Sequence, residues 1–160
     1  METPLKTLIV LRHGKSDWSG NEPDRERPLA KRGRRQVPEA GVWLAANLPD
    51  IDLAVVSPAE RARSTWALAA AELHRPPDVR LDDRVYAASV GELRDVVREL
   101  PAEADTVVLV GHNPGVEDLV QELTGKWVPM PTSALAVVQW DDSWTDPSGA
   151  RLTASGRPPT

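Results

Sequence analysis

Apolar positions along this chain fall into short unbroken runs, each closed by glycine or a polar pair, with segments of helical spacing between them. Leu8-Ile9-Val10-Leu11 leads straight into Arg12-His13-Gly14, and Thr106-Val107-Val108-Leu109-Val110 leads into Gly111-His112-Asn113-Pro114-Gly115. A short continuous apolar run ended by glycine predicts a strand buried on both faces, the habit of parallel sheets. The first strand is expected over Lys6 to Leu11, with others at Leu53 to Val56, Val107 to Val110 and Leu135 to Trp140. Val79 to Leu81 reads as an edge strand, and Ala150 to Ala154 as a return strand.

Between these runs the period changes from continuous to helical. Val37, Gly41, Leu44 and Leu48 share one side of a segment starting near Ala30 and ending before Pro49, with Pro38 marking a kink or a late start. Ser57-Pro58 predicts a helix with Ser57 as N-cap and Pro58 at the first position, running to about Leu73. Leu93, Val96, Val97 and Leu100 predict a helix over Glu92 to Leu100, and another is expected over Val116 to Leu123. Gly14 to Pro28 is polar and long enough to be a functional loop. The tail, residues 156–160, is expected to be loose.

Strand and helix alternate, which predicts an α/β three-layer sandwich around a mostly parallel central sheet, with the last hairpin as an antiparallel edge. At 160 residues with 41% hydrophobic content, one domain spanning 1–160 is expected. A net charge of −5 gives no global positive field for nucleic acid. No segment reads as a leader or a bilayer span, so the expectation is a cytoplasmic monomer without a membrane partner. The absence of cysteine removes disulfides and thiolate metal sites. With His74 isolated beside Arg75, neither a metal nor another cofactor is expected.

Charge changes the picture most at the strand ends. The chain has three histidines, and two of them, His13 and His112, follow apolar strands. A lone histidine in such a place is ordinarily structural. Here Arg12 adjoins His13, and Arg61 falls in the first turn of the helix leaving a third strand. Guanidinium presents a planar fork to phosphate oxygens, and helix N-termini add free N–H groups. Two imidazoles and two guanidiniums at the carboxyl edge of one sheet describe a pocket for a phosphoryl group.

Leu11-Arg12-His13-Gly14 resembles the Arg-His-Gly signature of the histidine phosphatase superfamily. Ser57-Pro58 with Arg61, Ala62 and Thr65 resembles that family's second arginine motif, and Gly111-His112-Asn113 its second histidine motif. Arg27-Pro28-Leu29, Arg32-Gly33 and Thr132-Ser133-Ala134 make the chain similar to the small SixA-type phosphohistidine phosphatases. The resemblance implies a phosphoglycerate mutase-like fold and a metal-independent hydrolase in which His13 carries the phosphoryl group. Arg12, Arg61 and His112 would then bind the phosphate. The general acid that larger members take from an inserted segment has no match here. Asp82, Asp83 and Glu92 are the carboxylates available, and Lys15, with Trp18, is a candidate for the pocket rim.

The resemblance implies a phosphorylated protein as substrate, or a small phosphorylated one such as a sugar or nucleotide phosphate. A non-catalytic phosphate-binding domain is the remaining alternative. Arg25, Arg27, Lys31, Arg32, Arg34 and Arg35 form a basic cluster that is either a solvated face or a docking surface for an acidic partner.

Overall fold

A computed structural model describes residues 5–160 of the chain. Among them the strands are β1 (Leu5–Arg12), β2 (Leu53–Val56), β3 (Asp78–Leu81), β4 (Thr106–Gly111), β5 (Leu135–Asp141) and β6 (Arg151–Gly156). The α-helices are α1 (Lys31–Asn47), α2 (Glu60–Ala70), α3 (Val90–Arg98) and α4 (Gly115–Thr124). Single 3-10 turns lie at Asp24–Glu26 and Asp83–Val85.

One mixed sheet runs β3-β2-β4-β1-β5-β6. β3, β2, β4 and β1 are parallel, whereas β5 is antiparallel to both β1 and β6, so the expected antiparallel edge is present. The alternation of β1 divides the core between two faces. Leu8 and Val10 join a cluster with Leu93, Val97, Leu119 and Val120 from α3 and α4. Ile9 and Leu11 join the other with Val37, Leu44, Ala62 and Trp66 from α1 and α2. Helices on both faces of a parallel sheet explain why β1 and β4 had to be apolar without alternation. β3, exposed along its length, carries Asp78 and Arg80 on the free edge, which discourages pairing with another chain.

The register sets the strand ends level. Arg12 pairs with Gly111 and Val56 with Val110, so the residues that follow, His13, His112 and Ser57, leave one edge side by side.

Four local expectations are corrected. Ser57 is not the N-cap of α2: Ala59 holds that position with no side-chain cap, and Ser57 serves the site described below. Pro38 does not delay the start of α1, which begins at Lys31 and runs through it. The lost hydrogen bond and the ring's clash with the preceding turn cost about 3 kcal/mol or more, a cost opposed by burial of Val37, Ala40 and Leu44 on the same helix. α2 stops at Ala70 and α3 starts at Val90, where Ser89 and Glu92 form a reciprocal capping box. In the tail, Arg157 Nε donates to Thr132 O at 2.8 Å.

Candidate active site

Backbone bonds fasten the ends of β1, β2 and β4 to one another. His13 N donates to Gly111 O at 3.1 Å, Ser57 N to Val110 O at 3.1 Å and Ser133 N to the His13 carbonyl at 3.0 Å. Just beyond β1, Gly14 N donates to Thr65 Oγ1 at 2.9 Å, and that hydroxyl donates to Arg61 O at 2.7 Å. Thr65, fully buried, therefore ties the loop after β1 to the first turn of α2. Gly33 allows α1 to lie against the same loop, since a Cβ there would come within 2.4 Å of Lys15 O.

His13 is 7% exposed, and its Nδ1 lies 2.7 Å from Gly14 O. A carbonyl only accepts, so Nδ1 carries the proton and donates, leaving the Nε2 lone pair free. Burial pulls the ring's pKa down from the ordinary imidazole value to about 4, with the nearby positive charge of Arg61 and Arg12 acting in the same direction. His13 is thus neutral at pH 7.

The ring of His112 lies 5.0 Å from that of His13, centroid to centroid, and is tilted against it. Its Nε2 is 2.7 Å from Ser57 Oγ. Burial, and then the proximity of His13 and Arg61, lower its pKa to about 3, so it too is neutral. Its Nδ1 is buried without a hydrogen-bond partner among the described residues.

The arginines are held differently. Arg12 Nη1 donates to Met130 O at 3.0 Å, an oxygen that also accepts from Asn113 Nδ2 at 3.0 Å. Glu117 accepts from Met130 N at 2.7 Å, so α4 grips the loop that steadies Arg12. Burial pushes the Arg12 guanidinium below its usual pKa, while Glu117 pulls the other way. Arg61, 8% exposed, donates from Nη1 to Asp24 O at 2.7 Å and from Nη2 to Asp24 Oδ2 at 3.0 Å. The Tyr86 hydroxyl donates to that same Oδ2, and its ring stands edge-on to His112 at 5.6 Å. Tyr86, followed by Arg61, holds the Asp24 carboxyl below its ordinary range, and Asp24 in turn raises the phenol's pKa.

Arg12, His13, Arg61 and His112 are therefore together. The weaker candidates are not part of that group. Asp82 is tied up by Arg84 through three hydrogen bonds. Asp83 is exposed, 4.0 Å from Arg25. Glu92 borders a cleft with His112 and Asn113, but its carboxylate accepts from Ser89 N in the capping box. Lys15 has an exposed side chain and contributes its carbonyl, which accepts from Ala30 N at 2.8 Å.

Sequence reasoning missed Asp24, Tyr86 and the Ser57 hydroxyl. The length of the polar loop 14–28 was the available signal for Asp24. For Tyr86, the chain's one tyrosine, no periodicity or spacing pointed to the site. Among the described residues no group of three or more His, Asp or Glu side chains is arranged to hold a metal ion, and no helix is long and apolar enough to cross a membrane.

Residues 8–115 match the model of the histidine phosphatase superfamily (branch 1). An uncharacterized protein of Mycobacterium tuberculosis is 34% identical over 149 residues, covering 85% of this chain and 90% of that protein. A solved structure from Nakamurella multipartitia, assigned as a phosphohistidine phosphatase SixA, superposes with a TM-score of 0.87 at 28% identity, covering 98% of each chain. The protein histidine phosphatase SixA complexed with tungstate superposes with a TM-score of 0.81 at 26% identity, covering 93% of this chain and 95% of the other.

Proposed function

The chain belongs to the histidine phosphatase superfamily, in its SixA-like branch, and from that premise we propose that it hydrolyses phosphohistidine on a protein through a phosphorylated His13. One observation carries the mechanism: the 2.7 Å bond from His13 Nδ1 to Gly14 O, which leaves Nε2 of a neutral ring free, with the charges of Arg61 and Arg12 and the ring of His112 nearby.

In the first step the Nε2 lone pair forms a bond to phosphorus as the bond to the leaving atom breaks. Splitting one displacement in two lowers each barrier. Arg12 and Arg61 supply N–H donors to the equatorial oxygens, where charge spreads in the transition state. His112 is a neutral partner that hydrogen-bonds without adding charge. In the second step water attacks phosphorus and the bond to Nε2 breaks, returning the imidazole.

The substrate class follows from the missing acid. The Asp24 carboxyl is held below its usual range, Asp82 and Glu92 are bonded to Arg84 and Ser89, and Asp83 is exposed beside Arg25. Such a site favours a leaving group that needs little help, and the imidazole of phosphohistidine leaves more readily than a sugar or nucleoside alkoxide. The short span between β3 and α3 holds one 3-10 turn and no lid. An open pocket grips the phosphoryl group and little else, so a small phosphoester binds weakly. A protein can add contacts outside the pocket. Exposed Lys15, Arg25, Lys31 and Arg32 border the loop that bears His13 and Asp24, and suit an acidic partner. We place this activity in the cytoplasm, in a monomer working without a metal.

Two experiments test the reading. Incubation with phosphoramidate should yield an acid-labile, alkali-stable adduct on His13, and His13→Ala should abolish it along with turnover, by a factor approaching roughly 10⁶. In a panel of a phosphohistidine-bearing protein, sugar phosphates and nucleotides, the protein should have the highest kcat/KM. A metabolite better by about tenfold, some 1.4 kcal/mol in transition-state binding, would redirect the assignment to a small-molecule phosphatase.

A further inference from the structure

We propose that Asp24 is a positioning residue for Arg61: with Tyr86 it holds one edge of the guanidinium so that the opposite edge is presented to the phosphoryl group. The inference rests on the reading of Arg61 as a phosphate ligand.

Arg61 receives two acceptors from one residue, the backbone oxygen of Asp24 on Nη1 and its carboxylate on Nη2. Both lie at the tip of the fork, which leaves Nε–H and the second Nη2 hydrogen along the side. That side pair has the spacing that matches two oxygens of a phosphoryl group. A free arginine has many rotamers and pays conformational entropy whenever it orders around an anion. Here ordering precedes binding.

Asp24 is itself restrained from several sides. Its 3-10 turn has Pro23 as the preceding residue, where φ is fixed near the observed −55°. Its Oδ2 accepts from Tyr86 as well as from Arg61, and Arg27 Nε lies 3.7 Å from Oδ1. Tyr86 is packed edge-on to His112 and lies beneath the Arg25 guanidinium, 4.6 Å from its ring centroid. One chain of contacts thus runs from His112 through Tyr86 and Asp24 to Arg61. It links the second histidine to the second arginine without passing through the sheet. The Asp24 side chain remains 43% exposed, so its removal should cost the fold little.

The test compares Asp24→Ala, Asp24→Asn and Tyr86→Phe, reading the dissociation constant of tungstate by calorimetry, and kcat and KM for phosphoramidate. Asp24→Ala should weaken tungstate binding and lower kcat/KM by about tenfold each, the scale of a lost hydrogen bond to a charged group, with the melting temperature nearly unchanged. Asp24→Asn keeps an acceptor oxygen in place and should recover most of that loss. Tyr86→Phe should shift both readouts the same way by a smaller factor. Unchanged or tighter tungstate binding in Asp24→Ala would overturn the proposal, making Asp24 a competitor for Arg61. Equal losses in Asp24→Ala and Asp24→Asn would also overturn it, since charge rather than placement would then be at work. The tungstate arm needs no turnover, so it stands even if phosphohistidine is not the substrate.

Discussion

Ser57 Oγ and His112 Nε2 lie 2.7 Å apart, joining the carboxyl end of β2 to that of β4. The same hydroxyl accepts from Ala59 N at 3.3 Å, at the mouth of α2. The second histidine is therefore oriented by the motif that also supplies Arg61. Two motifs distant in sequence act as one unit because their strands are neighbours in register.

The depressed pKa values set a pH dependence. Because His13 lies near 4, kcat/KM for phosphoramidate should hold well below the ordinary imidazole value and fall only as the pH nears 4. An acid limb centred at about 6.5 would contradict a buried, neutral nucleophile.

Stability carries the same signature with a definite sign. Both histidines have folded pKa values, about 4 and about 3, below that of the unfolded chain. The unfolded state thus binds more protons in the interval between, and stability falls as the pH drops from about 6.5. The melting temperature should decline over that range in the wild type and decline less steeply in His112→Ala. Parallel slopes would mean that the ring is not protected from protonation.

The two arginines of α2 should differ sharply. Arg61→Ala should lose at least ~1.5–3 kcal/mol of transition-state stabilisation, and Arg61→Lys should restore only part of it, because an ammonium has no fork. Arg63 is exposed, bonded to Pro58 O at 3.0 Å and Glu60 at 2.8 Å, so Arg63→Ala should leave kcat/KM near that of the wild type. Equal losses would put the wrong arginine in the pocket.

Two glycines offer a matched pair for unfolding measurements. A Cβ at Gly33 meets the backbone of Lys15 at 2.4 Å, so Gly33→Ala must displace the loop beside His13. It should destabilise the protein by about 1–3 kcal/mol and lower kcat as well. At Gly91, in α3, the nearest atom is 3.6 Å away, so Gly91→Ala should be neutral or stabilise by up to about 1 kcal/mol. A silent Gly33→Ala would show that α1 can move off the loop without consequence.

Activity should persist in excess EDTA. In the proposed site the charge offered to a phosphoryl group is that of Arg12 and Arg61, and the imidazoles beside them are positioned by Gly14 O and Ser57 Oγ. Inactivation by chelation, reversed by one divalent metal, would require a ligand set other than these residues.

The order of strands and helices was legible because burial on both sheet faces forces continuous apolar runs, as in Leu8–Leu11 and Val107–Val110. Arg12, His13, Arg61 and His112 were legible because each follows such a run, or the helix start beyond it, at a strand's carboxyl end. Ser57 reads as a cap because Ser-Pro before a helix is a local signal, and a local signal cannot show a histidine arriving from β4.

The sequence by itself determined where strands and helices alternate and which charged residues leave the strand ends, since periodicity and residue type act over neighbouring positions. Only the tertiary structure decided which of those ends lie side by side, through the strand order and register that put Arg12 opposite Gly111 and Val56 opposite Val110. It alone brought the Tyr86 hydroxyl onto the carboxylate of Asp24, 62 positions away in sequence, and that carboxylate onto the Arg61 guanidinium. That contact depends on how the 14–28 loop folds back over α2. No periodicity encodes such a fold-back, because it arises from packing between segments that share no local pattern.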